Sequence, residues 1–161
     1  MPHHPMRRRD REITDAEHIE RIVRGGRYVT IALADGDQPY AVTLSYGWDP
    51  AAHRLYFHVA HEGRKLDIIA RNPKACATIV VDRGYTQGEC EHPFESVVMS
   101  GTMRRITDDA EKIRAIECLV DHLESDPQGY WDSRTWKLED RLAGFSGLAF
   151  EIEGISAKQG K

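Results

Sequence analysis

Gly63, Arg64 and Lys65 stand where an extended segment, Arg54 to Ala60, turns into a helix. That helix runs to Arg71 and stops before Asn72-Pro73, since the residue before a proline is biased away from helical conformation. A helix start offers backbone N–H groups without intrahelical partners and the positive end of the peptide dipole. Two cationic side chains at that start make a seat for a phosphate monoester. Arginine grips a dianion with a planar fork, and lysine adds a point charge. His58, near the end of the extended segment, can donate to a phosphate or a hydroxyl, or move a proton. The seat is not a Walker loop, because GxxxxGK[ST] does not occur, and no GxGxxG follows a strand. His61-Glu62 begins no HExxH, because residue 65 is lysine. Cys90-Glu91-His92 lacks the further ligands of a closed metal site, so no metal is expected.

The elements around the seat read as strands with a few helices. Tyr40 to Trp48 alternates as one strand, with Tyr40, Val42, Leu44 and Tyr46 on one face. Its other face carries Ala41, Thr43, Ser45 and Gly47, small enough for a flat ligand to lie close to the backbone. Tyr28 to Leu33 precedes it through the turn Asp35-Gly36-Asp37. Ala75 to Val81 is a continuous apolar run and reads as a buried strand with Cys76 in the core. Ser96 to Ile106 and Gly147 to Ile155 read as further strands, with Gly101 as a bulge or a close backbone approach. Helices are expected after capping-box spacings at Thr14–Glu17 and Asp108–Glu111, the second carrying an Ile113, Ile116, Val120, Leu123 stripe. Residues 128 to 142 hold Tyr130, Trp131 and Trp136 in a loop with a short helix. Five or six mainly antiparallel strands joined by short turns favour a β-barrel with flanking helices.

The chain has 161 residues and reads as one domain, 1–161, with residues 1–12, including His3 and His4, as an N-terminal arm. A net charge of −4 argues against a nucleic-acid or membrane surface. Arg7-Arg8-Arg9 is interrupted at once by Asp10, as in a solvated arm. Three widely spaced cysteines (Cys76, Cys90 and Cys118) argue against a disulfide framework and for a reducing cytoplasm. No apolar run is long enough to span a bilayer, and the N-terminus lacks the apolar region of a secretory signal.

The run His58-x-Ala60-x-x-Gly63-Arg64-Lys65-Leu66-Asp67, followed by Asn72-Pro73, resembles the FMN-binding split barrels related to pyridoxamine 5′-phosphate oxidase. The opening block Met6-Arg7-Arg8-Arg9-Asp10-Arg11-Glu12-Ile13, the segment Leu44-Ser45-Tyr46-Gly47 and the tail Ile155-Ser156-Ala157-Lys158 are similar to the nitroimidazole-resistance-type branch, Ala157 being the departure. The resemblance implies an FMN-binding split barrel, mostly antiparallel, that works as a homodimer with flavin at the interface. It also implies an oxidoreductase that passes electrons from a nicotinamide donor to a small acceptor such as a nitroimidazole. Other split barrels use F420, bind haem, or have no established activity, so a non-catalytic carrier or sensor is the rival reading. The Arg-rich substrate clamp near the C-terminus of the oxidase itself is not evident in this chain.

By the same resemblance, Gly63, Arg64 and Lys65 would hold the FMN phosphate, with His58 beside the phosphate or the ribityl chain. Val42, Thr43, Leu44 and Ser45 would run beneath the isoalloxazine, and Val59 and Ala60 would line the ribityl path. Trp131 from a partner subunit is a candidate for ring stacking, while Trp136 reads as packing. Lys158 is a candidate to approach the flavin from the C-terminal end. His58 is the candidate catalytic residue.

Overall fold

The computed structural model describes residues 6–160; His3 and His4 lie outside the described residues. Eight strands occur among them: β1 (Glu12–Ile13), β2 (Val29–Asp35), β3 (Gln38–Leu44), β4 (Gly47–Asp49), β5 (Arg54–His58), β6 (Lys74–Asp82), β7 (Phe94–Arg105) and β8 (Gly147–Gly160). Four helices flank them: α1 (Ala16–Gly25), α2 (Arg64–Arg71), α3 (Asp109–Leu123) and α4 (Pro127–Asp132). All strands join one sheet in the order β3-β2-β6-β7-β8-β5-β4, with β1 added to β8. Every pairing is antiparallel. Side chains from β2 and from β5 at opposite ends of that path share one core, so the sheet curls around it. The architecture is that of a mainly antiparallel split barrel. No helix among the described residues is long and apolar enough to cross a membrane.

The strand expected from Tyr40 to Trp48 is two strands, β3 and β4, broken at Ser45-Tyr46. The break has a physical cause. Tyr46 is fully buried, and its hydroxyl lies 2.5 Å from the Val23 carbonyl and 2.9 Å from that of Gly26 at the end of α1. Serving those carbonyls pulls the chain out of line with β3, so that β3 and β4 become the two edges of the sheet. Burial raises the Tyr46 phenol far above its ordinary pKa, so it remains a donor.

Several other expectations shift. The cap of α1 is Asp15, not Thr14: Asp15 accepts from the His18 N–H at 2.8 Å. Asp108 caps α3 as the spacing implied, accepting from Glu111 N–H at 2.9 Å. The last residues of the arm are folded, as a 3₁₀ turn at Arg9–Arg11 followed by β1 on β8. Burial on β6 alternates. Ala75, Ala77 and Ile79 face the core, while Val80 is 55% exposed and Cys76 is half-buried on the open face. A continuous apolar run therefore does not mark a strand covered on both sides here. The bulge expected at Gly101 is present, with the β7–β8 register shifting between Ser100 and Gly101. A Cβ at Gly101 would sit 1.9 Å from the Glu151 carbonyl oxygen, so the close approach excludes any side chain.

The helix α3 is clamped to the barrel by ions. Glu111 accepts from Arg54 at 2.8 Å and from Arg104 at 2.6 Å, and Glu151 accepts from the same two arginines. Asp49 on β4, itself buried, receives two bonds from Arg114 at 2.9 and 3.0 Å. This attachment matters because α3 forms one wall of the cavity described next.

Candidate functional site

The α2 start is open. Its N-cap, Gly63, has φ +135° and ψ 163°, a conformation that L side chains rarely adopt, and no side chain caps the helix. Leu66 and Asp67 N–H groups turn back to the Gly63 carbonyl, while those of Arg64 and Lys65 have no acceptor among the described residues. Nothing lies within 4 Å of where a Gly63 Cβ would be. This is the geometry of an anion seat: free N–H donors, the positive end of a helix and clear space in front.

The cations at the seat are loosely held. Arg64 is exposed and reaches Asp35 only at 3.4 Å, while Arg71 holds the same carboxylate at 2.5 Å. The Arg71 bond, then the weaker Arg64 bond, lowers the Asp35 pKa. The Arg64 guanidinium lies 4.9 Å from the ring centre of Tyr40 on β3, which ties the seat to that strand. Lys65 is half-buried beside it and forms no ion pair among the described residues.

From Tyr40, β3 leads through Val42, Thr43 and Leu44 to Ser45, a rise of about 17 Å at ~3.4 Å per residue. As an edge strand, β3 pairs only with β2, so alternate backbone N–H and C=O groups of Val42–Leu44 point away from the sheet without strand partners. Val42 and Leu44 turn toward the core, and Thr43 and Ser45 are exposed.

Ser45 and His58 meet at a cavity of about 420 Å³. Its far wall is the apolar face of α3, including Leu119 and Leu123, and its rim carries Tyr130, Trp136, Arg141 and Phe145. The His58 ring stacks on Phe145 with centroids 5.2 Å apart and planes 18° apart. Arg141 lies 5.1 Å from the centre of the Trp136 ring. The hook after β5 is fixed from below: Val59 N–H donates to the Ser146 carbonyl at 2.9 Å, and Ser146 Oγ donates to the Ala60 carbonyl at 3.3 Å. Val59 is buried in the core, while Ala60, His61 and Glu62 are exposed between His58 and Gly63.

The chain thus brings Arg64, Lys65 and Gly63 to one end of β3, and Ser45 and His58 to the other. It does not bring Trp131 or Lys158 to this cluster. Trp131 sits on α4, edge-on to Tyr130, and it is Tyr130 and Trp136 that line the cavity. Packing alone, the sequence reading of Trp136, therefore understates its place. Lys158 lies on β8 eleven residues beyond Gly147, the strand partner of His58, so about 36 Å separates them along the strand. The sequence reading also missed Tyr130, Arg141 and Phe145. Their shared signal is a set of aromatic and cationic residues in a stretch without strand or long-helix periodicity. No cluster of three or more potential metal ligands occurs among the described residues.

The comparisons with known proteins agree with this architecture. No curated protein matches the chain significantly. Among solved structures, a candidate 5-nitroimidazole antibiotic resistance protein from Bacteroides thetaiotaomicron superposes with a TM-score of 0.76 at 21% identity, covering 92% of this chain and 86% of that one. An FAD-binding protein from Mesorhizobium loti gives 0.64 at 21% identity, covering 94% and 96%. The FAD and haem binding protein of Mycobacterium smegmatis gives 0.75 at 20% identity, covering 94% and 74%. At such identities the likeness is one of fold. The family model for pyridoxamine 5′-phosphate oxidase matches residues 15–159, nearly the whole chain, and the protein therefore belongs to the pyridoxamine 5′-phosphate oxidase family.

Proposed function

We propose that the protein is an FMN-dependent oxidoreductase that reduces small planar acceptors, nitroimidazoles among them. The observation that carries the reading is the uncapped start of α2, where open space lies before free backbone N–H groups and Arg64 and Lys65 are the first two helical residues. The residues fit FMN along their length. Arg64, Lys65 and the α2 start would take the phosphate, Ala60 and His58 would flank the ribityl chain, and the free edge of Val42–Ser45 would serve the polar edge of the ring. When bound, FMN supplies hydride or single-electron transfer, chemistry that no protein side chain provides. The chain's own part is to hold, orient and exclude water. Leu119 and Leu123 give the cavity an apolar wall, and Arg141 favours an electron-rich or anionic acceptor. His58, which lines the cavity, would deliver a proton to a reduced acceptor. A nicotinamide donor would enter the same cavity, giving ping-pong kinetics.

The outer sheet face supports a homodimer. Thr43, Thr30, Thr78, Val98 and Ser156 align across five strands, and Ala41, Ala32, Cys76, Ser100 and Gly154 form a second row of small residues. Val80 and Val98 stand 55% and 43% exposed on this face, as a second copy would require. In such a dimer Trp131 would act on the partner's flavin. The three free cysteines are in keeping with a cytoplasmic protein.

The test is an absorbance spectrum of the purified protein, followed by NADPH reduction and reoxidation with a nitroaromatic. Bound flavin that cycles supports the enzyme. A second reading, a flavin or haem carrier without turnover, draws on the exposed His58 imidazole at a roomy cavity, because imidazole ligates haem iron. An intense Soret band, or a flavin that neither nicotinamide reduces, would replace the oxidoreductase with that carrier.

A further inference from the structure

The two blocks at the ends of the domain, Met6 to Ile13 and Ile155 to Lys158, are far apart in sequence and have no part in the flavin seat. The fold brings them together. In β1, Glu12 pairs with Lys158 and Ile13 with Ala157, and both Ile13 and Ala157 are buried, which pins the strand. The turn just before it closes through Arg11 N–H on the Arg8 carbonyl at 3.0 Å. Between arm and sheet lies a recess of about 330 Å³ lined by Arg7, Arg8, Arg11, Phe94, Lys158 and Gln159.

The charge balance of this recess is one-sided. Arg8 is matched by Asp10 at 2.6 Å. Arg7, Arg11 and Lys158 form no ion pair among the described residues, although Glu12 faces Lys158 across the strand pair. The Nε of Arg11 is buried and has no hydrogen-bond partner. A buried guanidinium N–H without an acceptor is costly, and native proteins rarely leave one so. Lys158 is held rather than free, its Nζ 5.5 Å from the centre of the Phe94 ring. Such clustering runs against a chain whose net charge is −4.

We propose that this recess binds a phosphate group and is a second anion site, separate in the chain from the start of α2. A phosphate suits it better than a carboxylate, because it brings more charge and three acceptor oxygens for a set of groups that only donate. Arg11, whose side chain lines the recess, supplies guanidinium N–H groups, and Arg7 and Lys158 add charge. The phosphate could be free or part of a nucleotide, and both present the same oxygens.

The experiment is calorimetric titration of the full chain with pyrophosphate at low ionic strength, with melting curves to confirm that each variant is folded. Wild type should take two equivalents per chain. Arg7→Ala with Lys158→Ala should lose one of them or weaken it at least tenfold, and Arg64→Ala with Lys65→Ala should lose the other. If the α2 seat fails as a phosphate site but the recess holds, one equivalent remains, and only the Arg7/Lys158 pair removes it. A single equivalent removed only by the Arg64/Lys65 pair, or no binding at all, overturns the proposal. Competition by adenosine diphosphate well above that by inorganic phosphate identifies a nucleotide as the source; equal competition identifies free phosphate.

Discussion

The cations between α3 and the barrel and the cations at the start of α2 have opposite fates. Arg54, Arg104 and Arg114 each meet a carboxylate within 3.0 Å, in pairs that join α3 to the barrel. Arg64 reaches its carboxylate only at 3.4 Å, and Lys65 has none among the described residues. The first group spends its charge on internal partners and holds a helix in place. The second is left only loosely matched within the chain. Where a protein leaves guanidinium and backbone donors pointing at open space, the reason is sought in a ligand; where it matches them, the reason is packing.

The largest test of that contrast is Glu111→Ala. It strips Arg54 and Arg104 of a shared partner and should cost about 3 kcal/mol, read as a lower midpoint in urea unfolding at unchanged slope. A change under ~1 kcal/mol would show that the network is ornamental. Next is Arg64→Ala with Lys65→Ala. It should weaken FMN binding about 100-fold while leaving the melting temperature within a few degrees, since these side chains support ligand rather than fold. Unchanged FMN affinity in a titration would break the comparison outright.

Acid sharpens it further. The Arg104 bond to Glu111 and the Arg114 bond to Asp49 hold both carboxyls below the usual range. A carboxyl whose folded pKa is depressed adds stability above its unfolded pKa, and that stability is lost as pH falls through the folded value. Wild type should therefore lose more stability than Glu111→Gln between pH 6 and about pH 3, values that bracket the ordinary carboxylate range. Equal losses in the two proteins would mean that Glu111 carries none of the acid sensitivity. The smallest effect belongs to Arg24→Ala. Its exposed pair with Glu20 at 2.8 Å should be worth under ~0.5 kcal/mol, a baseline against which the α3 network is judged.

Much of the fold was legible because it is local. The α2 boundaries follow from Gly63 and Asn72-Pro73, and the α3 cap follows from Asp108 and Glu111. Gly101 announced a bulge because a missing side chain in a strand usually marks a close backbone approach. Tyr46 was misread for the opposite reason. Its alternation fits a continuous strand, and only the distant carbonyls of Val23 and Gly26 divert it. Val80 was misread because an apolar run does not say which face remains open. Trp136 could not be told from Trp131 in sequence, since a short irregular segment has no period to assign faces.

The sequence alone determined the chemistry of the seat, a glycine, an arginine and a lysine at a helix start, because a helix terminus is fixed by its immediate neighbours. It also determined a mostly antiparallel barrel, because alternation and turns are short-range signals. Tertiary structure decided what lies opposite the seat: the free edge of β3, the cavity walled by α3, and the meeting of the Arg11 and Lys158 segments across β1 and β8. Those depend on contacts between residues up to about 150 positions apart, which side-chain spacing along a chain does not encode.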